Sequence, residues 1–398
     1  MEVAAEILKD IWIILQILIG YNLFLPFLLF LLYLIIRKPR ATNKTATGNK
    51  YDYAIIVTAY EQTTLLPSVV ESILKLNYTN YMVYIVADKC DISELHFTDR
   101  RIVVLRPPET LGSNTRSHFY AINNFVRKHE LLTIIDSDNL VDPEYLNELN
   151  VYFSKGFSAV QGLRKAKNLD TMYACLDAAR DIYYHFYDGE VLFRIGSSAT
   201  LAGSGMAFQT SLYRECLEHR DVTGAGFDKV LQMEIVKRGY RIAFTEKAIV
   251  YDQKTAASDQ LVKQRARWIN TWFRYFRYGF VLLFKGIIHF DWNRILFGII
   301  LLRPPLFIFL LLSAKFAFAS LFVSLTALLV WFAGFVCFVA SFFIALMHAK
   351  PGNEIYDSLW GIPKFIFFQV LALMKIKKAN QISVATRHSA TQADPKQK

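Results

Sequence analysis

Two long apolar runs constrain the fold of this chain more than any other feature. Residues 11–36 carry no charged side chain, and residues 304–347 carry only one, Lys315. A bilayer core of about 30 Å needs roughly 20 apolar residues in a helix. The first run therefore predicts one transmembrane helix within residues 1–40, and the second predicts two within residues 294–348. Residues 51–290 have ordinary globular composition and predict a single water-facing domain.

The charges beside the first run predict its orientation. Lys9 is the only basic residue before this run, whereas five basic residues follow it between positions 37 and 50. Positive charge favours the cytoplasmic side, so we expect the domain and the basic, amphipathic tail 349–398 to be cytosolic. The predicted location is the inner (cytoplasmic) membrane, with several passes. This bias also accounts for the net charge of +11, so we expect no nucleic-acid partner.

The central part of the chain has the pattern of an α/β domain. Short apolar runs rich in β-branched residues predict buried strands at residues 53–59, 82–87, 102–105 and 131–135. Segments with helical spacing separate them, and this alternation predicts a parallel sheet. The sequence contains neither a GxGxxG fingerprint nor a P-loop. A nucleotide would therefore be bound by side chains at the carboxyl edge of the sheet.

Acidic residues follow two of the predicted strands. Asp88 ends the second strand, and Asp136 and Asp138 follow the strand at 131–135. Residues two apart in an extended segment project to the same side, so both of these carboxylates are expected to hold one Mg²⁺ or Mn²⁺ ion. The alternative is that they are turn or helix-capping acids. Asp228 likewise predicts either a helix N-cap or a general base.

A helix predicted over residues 259–278 carries a polar and aromatic face. Gln264, Arg267 and Trp268 are spaced at i, i+3 and i+4 and therefore share this face. A guanidinium binds phosphate oxygens, and an indole offers a stacking surface for a sugar ring. The alternative is a basic amphipathic helix that anchors at the membrane interface through its aromatic residues.

Taken together, these motifs resemble the membrane-bound family 2 glycosyltransferases, the group that contains cellulose and hyaluronan synthases. The resemblance covers roughly residues 51–278. It depends on the order of the following elements: Asp88, Asp136-Ser137-Asp138, the segment Gly203-Ser204-Gly205, Asp228, and Gln264-x-x-Arg267-Trp268. It implies a glycosyltransferase-A type α/β domain that is carried by about three transmembrane helices and an interfacial helix.

The resemblance also implies roles for these residues. Nucleotide-sugar binding would fall to Asp88, Asp136, Gln264, Arg267 and Trp268, and metal binding to Asp136 and Asp138. Asp228 would be the catalytic base of an inverting transfer. Gly203, Ser204, Gly205 and Trp268 would face the acceptor.

Two further arginines are candidates for the site. Arg116 is a candidate for a phosphate-facing cation. Arg303 lies inside an apolar stretch, where a charge is costly, so we expect it to face the acceptor path or headgroup phosphates, or else to snorkel without a partner.

The expected reaction is transfer of a sugar from a nucleotide sugar, by resemblance a UDP-sugar, to a glycan or a membrane-associated acceptor. The expected cofactor is Mg²⁺ or Mn²⁺. Single-sugar transfer to a lipid, such as a polyprenyl phosphate or a glycolipid precursor, remains an alternative. A non-enzymatic transport subunit is disfavoured, because three passes cannot supply the helix bundle of a transporter.

Overall fold

The computed structural model describes residues 2–36, 51–255 and 258–376. The predicted linker 41–50, the basic residues after the first apolar run and most of the tail beyond residue 376 lie outside these ranges. The orientation expected from those charges therefore stays a prediction.

Within the described residues, eight strands form one sheet. They are β1 (Tyr53–Tyr60), β2 (Tyr81–Asp88), β3 (Ile102–Leu105), β4 (Leu131–Asp136), β5 (Leu140–Val141), β6 (Ala159–Ala166), β7 (Met206–Gln209) and β8 (Ile242–Asp252). Their order is β3-β2-β1-β4-β7-β6-β8-β5. The first four strands of this order are parallel, as the sequence predicted, whereas β7 is antiparallel to both neighbours and makes the sheet mixed.

Fifteen α-helices lie within the described residues. They are α1 (Glu2–Ile36), α2 (Leu66–Leu74), α3 (Asn114–Asn123), α4 (Tyr145–Phe153), α5 (Met172–Tyr184), α6 (Leu192–Arg194), α7 (Thr210–Leu217), α8 (Phe227–Lys237), α9 (Ser258–Tyr275), α10 (Arg277–Ile288), α11 (Trp292–Leu302), α12 (Leu306–Val323), α13 (Leu325–Ala349), α14 (Asn353–Ser358) and α15 (Ile362–Met374). A π-helix, His185–Val191, joins α5 to α6.

The sheet has a packed core on each face. Successive residues of β1 alternate between them: Ile55 and Val57 pack on the face covered by α2 and α4, and Ile56 packs on the face covered by α8. Because both faces are buried, the strand reads as a continuous apolar run. Burial of each such side chain contributes about 1.5–3 kcal/mol. The helices packed on both faces hold the carboxyl ends of the central strands at one edge of the sheet.

Four helical segments in the described part of the chain are long and apolar enough to cross a membrane: Glu6–Ile36, Leu306–Val323, Leu325–Ala349 and Asn353–Met374. The first three agree with the expected helices. Helices α1 and α13 pack together, and Trp331 Nε1 donates a hydrogen bond to Gln16 Oε1 at 3.0 Å.

The fourth segment lies within residues 349–398, for which the sequence predicted a basic, amphipathic tail. Its apolar residues lie in α14 and α15, which a 3₁₀ turn at Leu359–Gly361 separates. Ala372 of α15 packs in one cluster with Val262 and Ala266 of α9 and Phe307 of α12. One side of the segment therefore packs against the helix on which the predicted Gln264-x-x-Arg267-Trp268 motif lies, whereas Phe367 and Met374 stay exposed.

Candidate active site

A cavity of about 880 Å³ opens at the carboxyl edge of β1 and β4. Its wall includes the ends of these strands, the start of α8, the π-helix, α9 and the residues that lead into α12. The wall contains the acidic residues Asp136, Asp138 and Asp228 and also apolar residues that include Leu306 and Phe307. The cavity thus joins the predicted polar site to the beginning of a membrane-length helix.

Asp136 and Asp138 are held at this edge by a buried polar network. Asp136 is the last residue of β4 and pairs in register with Thr58 of β1. Its N–H donates to Ser204 Oγ at 3.0 Å. The side-chain amide of Asn139 is oriented so that its oxygen accepts from Ser204 Oγ and its nitrogen donates to Asp138 Oδ1, each at 2.8 Å. The network fixes both acidic residues relative to the sheet.

The electrostatic environment of Asp136 favours a cation beside it. Desolvation in the cavity wall, reinforced by the Asp138 carboxylate, raises the pKa of Asp136 to about 7, although Arg164 opposes this rise. Arg164 is itself bound by Asp252 at 2.7 Å, and Lys254 contacts the same carboxylate at 2.7 Å. The nearest fixed cations are therefore already engaged, and a positive ion at Asp136 and Asp138 would relieve their mutual repulsion.

Asp228 projects into the cavity from the second residue of α8. The N-cap of this helix is Gly226, so the predicted alternative that Asp228 caps the helix is wrong. Asp228 Oδ2 lies 3.0 Å from Lys229 Nζ, which also donates to the carbonyl of Leu201 at 3.0 Å. Gly226 has φ +109°, and a side chain there would overlap the ring of Tyr275. The glycine therefore lets the start of α8 lie directly against α9.

The predicted face of α9 lines the same cavity. Gln264, Arg267 and Trp268 are all in its wall. Trp268 lies between two guanidinium groups, with Arg265 at 4.3 Å and Arg180 at 4.5 Å from its ring. These cation–π contacts orient the indole, which remains 37% exposed.

Buried ion pairs tie α9 to α5 behind this face. Arg265, which is 2% exposed, pairs with the buried Asp177, and Arg180 contacts Asp177 at 3.2 Å and Asp181 at 2.6 Å. Sequence reasoning missed Arg265, because its position between two predicted site residues gives no sign that it is buried. It also missed Arg164, because its β6 strand was not predicted.

The structure places Asp88 beside the cavity but not in its wall. Its two carboxylate oxygens accept hydrogen bonds from the backbone N–H groups of Leu111 and Gly112, at 2.9 and 2.8 Å. Asp88 is 2% exposed. Its carboxylate therefore organises this loop, and the contact with a nucleotide base that the resemblance implied stays a prediction.

The Gly203-Ser204-Gly205 segment also differs from the expectation. Gly203 lines the cavity, but Ser204 is fully buried behind Asp136. Gly205 donates its N–H to the carbonyl of Ile134 at 2.9 Å. Ser204 and Gly205 thus support the end of β4 and are not in the cavity wall, and the acceptor-side role of this segment stays a prediction. Arg116 is likewise bound elsewhere, to Asp221 on the surface.

The carboxylates fit a divalent cation that is shared with a phosphate ligand. In the ranges that the structure describes, no group of three or more His, Cys, Asp or Glu side chains is arranged to hold a metal alone. Mg²⁺ commonly takes one or two protein carboxylates and completes its shell with waters and substrate phosphates. Asp136 and Asp138 are suited to provide these two carboxylates, since Asp252 is engaged by Arg164 and Lys254.

Comparisons with known proteins identify this arrangement. Mannosyltransferase PcManGT from Pyrobaculum calidifontis, solved in complex with GDP-Man and Mn²⁺, superposes with a TM-score of 0.58 at 15% identity, over 90% of this chain and 97% of its own. S. aureus TarS 1-349, in complex with UDP-GlcNAc, has a TM-score of 0.40 at 14% identity, over 82% of this chain and 89% of its own. No curated protein matches the chain in sequence.

The similarity to PcManGT shows that the domain has the glycosyltransferase-A type fold. Residues 51–271 match the family model described as glycosyltransferase like family 2. This match covers more than half of the chain and includes the strands, the Asp136-Ser137-Asp138 segment, Asp228 and most of α9. The chain therefore belongs to the glycosyltransferase-like family 2.

Proposed function

We propose that this chain is a membrane-bound inverting glycosyltransferase that moves a sugar from a nucleotide sugar to a glycan or a membrane-associated acceptor. The observation that carries the proposal is the single cavity that joins Asp136, Asp138 and Asp228 to the start of α12. A donor bound at the carboxylates and an acceptor that arrives from the membrane side would meet beside Asp228. The proposed subtype is the one that includes cellulose and hyaluronan synthases.

The donor would lie between the strand ends and α9. Asp136 and Asp138 would hold a divalent cation with the diphosphate, and Gln264, Arg267 and Trp268 would contact the diphosphate and the sugar. PcManGT binds GDP-Man and Mn²⁺ in the same type of fold, which supports a nucleotide sugar and a metal here. By resemblance we propose a UDP-sugar, and a GDP-sugar is the other donor to test.

In the proposed reaction, Asp228 accepts the proton of the acceptor hydroxyl as its oxygen attacks the anomeric carbon. The bond from that carbon to the diphosphate breaks in the same displacement, which inverts the anomeric configuration. When bound, the cation would offset negative charge on the departing nucleoside diphosphate. Arg267 and Gln264 would hold the diphosphate in place, and Trp268, oriented by Arg180 and Arg265, would position the acceptor sugar.

The proposed location is the inner membrane, with residues 51–290 in the cytosol. The apolar part of the cavity wall, which includes Ile300, Leu301, Leu306 and Phe307, would face the cytosolic leaflet. This apolar part also favours the second candidate function, transfer of a single sugar to a lipid acceptor, because a lipid could reach Asp228 without leaving the membrane.

A donor panel tests the proposal. The full chain, purified in detergent, is incubated with UDP- and GDP-sugars and Mn²⁺ or Mg²⁺, and nucleoside diphosphate release is measured together with the mass and anomeric configuration of the product. We expect turnover of one nucleotide sugar, loss of it in Asp138→Asn, and retention of it in Asp142→Asn, a control four residues away that does not line the cavity. Absence of release from every nucleotide sugar would contradict the proposal.

A further inference from the structure

Three buried polar groups in the wall of the cavity lack partners for part of their hydrogen-bonding capacity. Asp188 Oδ1, Gln232 Nε2 and Arg303 Nη1 have no hydrogen-bond partner among the residues that the structure describes. All three side chains line the cavity, and their residues are 4%, 0% and 7% exposed. Leaving a buried polar group unsatisfied destabilises the folded protein. Three such groups on one cavity point to a polar ligand that completes their hydrogen bonds.

These groups are connected to the proposed catalytic base. Gln232 follows Asp228 by four residues in α8, so the two side chains share a face of that helix. Gln232 Oε1 accepts from the N–H of Leu201 at 2.9 Å, and Lys229 donates to the carbonyl of Leu201 while it contacts Asp228. A ligand bound to the three groups would therefore lie next to the Asp228 carboxylate.

The charges around these three groups limit the kind of ligand that can bind to them. Arg303 donates to Asp188 Oδ2 through Nη2, so the guanidinium is neutralised by a carboxylate in direct contact with it. Burial lowers the pKa of the nearby His185 to about 4, and this side chain is therefore neutral at pH 7. A phosphate placed here would face the Asp188 carboxylate at close range and would be repelled.

A hydroxyl group matches the unpartnered atoms. It donates to Asp188 Oδ1 and accepts from Arg303 Nη1 or Gln232 Nε2, so one hydroxyl uses an acceptor and a donor of the wall together. An aromatic side chain lies in the same region: the Tyr184 ring is 5.4 Å from the Arg303 guanidinium, and Tyr184 lines the cavity. Polar groups beside an aromatic surface suit a sugar ring, which carries hydroxyls at its rim.

We propose that Asp188, Gln232 and Arg303 form an acceptor subsite that binds the hydroxyl groups of a neutral glycan. This inference rests on the proposed function and specifies its acceptor, since a phosphate group is disfavoured at this position. It also revises the expectation that Arg303 faces headgroup phosphates, because the partner of Arg303 is Asp188. Neither Asp188 nor Gln232 was identified from the sequence.

The charge of Asp188 provides the test. Full-length wild type and Asp188→Asn are assayed for nucleoside diphosphate release from the active nucleotide sugar, with cello-, chito- or manno-oligosaccharides or with a polyprenyl phosphate in detergent. Asparagine preserves the shape and still accepts from Arg303, but it removes the negative charge. A hydrogen bond to a charged group contributes about 1.5–3 kcal/mol, so we expect the acceptor KM for the active oligosaccharide to rise about 10- to 100-fold. The KM for the donor nucleotide sugar should stay at the wild-type value.

Two further variants guard against a folding defect. Gln232→Glu keeps the oxygen that accepts from Leu201 and replaces only the unpartnered NH₂ group. Because the new carboxyl group is buried, thermal stability should fall. The acceptor KM does not depend on the amount of folded enzyme, so a higher acceptor KM in the folded fraction reports the loss of the NH₂ donor. Glu190→Gln is the matched control. Glu190 is a buried acid of the same π-helix that pairs with Arg194 and does not line the cavity, so its acceptor KM should equal that of wild type.

The outcomes separate this inference from the proposed function. If the polyprenyl phosphate stimulates turnover and Asp188→Asn lowers its KM, the subsite binds a phosphate and the inference is wrong, although the enzyme is still a glycosyltransferase. Donor turnover that no neutral oligosaccharide stimulates, or an unchanged oligosaccharide KM in both cavity variants, would also overturn it. If wild type releases no nucleoside diphosphate from any nucleotide sugar, the proposed function fails, and the inference fails with it.

Discussion

Gly226→Ala tests the contact that positions Asp228 against α9. Alanine at φ +109° costs about 1–2 kcal/mol of backbone strain. Its Cβ would also lie 2.5 Å from Tyr275 Cε2 and 2.7 Å from Thr271 Cγ2, and such crowding costs about 1–3 kcal/mol. The free energy of unfolding of the domain should fall by about 2–5 kcal/mol. Turnover should fall as well, because Asp228 follows two residues later.

The matched control is Gly156→Ala. Gly156 has φ +86°, but in the described part of the chain no heavy atom lies within 4 Å of the added Cβ, so only the strain contributes. The two variants should therefore differ by about 2 kcal/mol, which is roughly 4–8 °C in the thermal unfolding midpoint of a domain of this size. Thermal unfolding of the full chain in detergent, followed by tryptophan fluorescence, measures this difference.

A double variant checks the cause of the difference. Gly226→Ala with Tyr275→Ala should be less destabilised than the sum of the single variants, because the smaller side chain removes the overlap. If Gly226→Ala is no less stable than Gly156→Ala, or if the effects of Gly226→Ala and Tyr275→Ala simply add, the close contact between α8 and α9 does not exist and the placement of Asp228 is wrong.

Three other predictions follow from the site and its supports. Excess chelator should abolish transfer, Mn²⁺ or Mg²⁺ should restore it, and Asp138→Asn should weaken metal and donor binding together in a calorimetric titration. Burial lowers the pKa of His118 to about 3, whereas in the unfolded chain its pKa is about 6.5. The folded protein therefore favours the neutral imidazole, and this contribution to stability is complete above pH 6.5 and is lost as the pH falls. At pH 5 this loss is about 2 kcal/mol, and His118→Gln should show a flatter pH dependence of the unfolding midpoint. Arg265→Met leaves Asp177 without its buried partner on α9 and should cost about 3–5 kcal/mol, whereas Lys263→Met on the exposed face of that helix should change stability by less than 0.5 kcal/mol.

The fold was predictable wherever a single local pattern sufficed. Strands β1, β2 and β4 are apolar on both faces because the sheet is covered on both sides, so each appears as a continuous β-branched run. Strand β6 was missed because its second half contains Arg164 and Lys165, and the charge of Arg164 is matched by a residue distant in sequence, Asp252 in β8.

The site was predictable to the same extent. Asp136 and Asp138 were found because a strand ends at them, and the face of α9 was found from helical spacing. The acceptor-side residues Asp188 and Gln232 could not be found in this way. The role proposed for Asp188 depends on its ion pair with Arg303, which is 115 residues away in the chain. Such pairs depend on tertiary structure, and no local pattern predicts them.

The most direct test of the proposed mechanism compares binding and turnover in Asp228→Asn. If Asp228 is the base, the affinity for the nucleotide sugar should stay within a few-fold of wild type while turnover falls by about 10²- to 10⁴-fold. Asp259→Asn, an exposed acid in the first turn of α9, is the matched control and should have wild-type turnover. Wild-type turnover in a folded Asp228→Asn enzyme would contradict the assignment of Asp228 as the catalytic base.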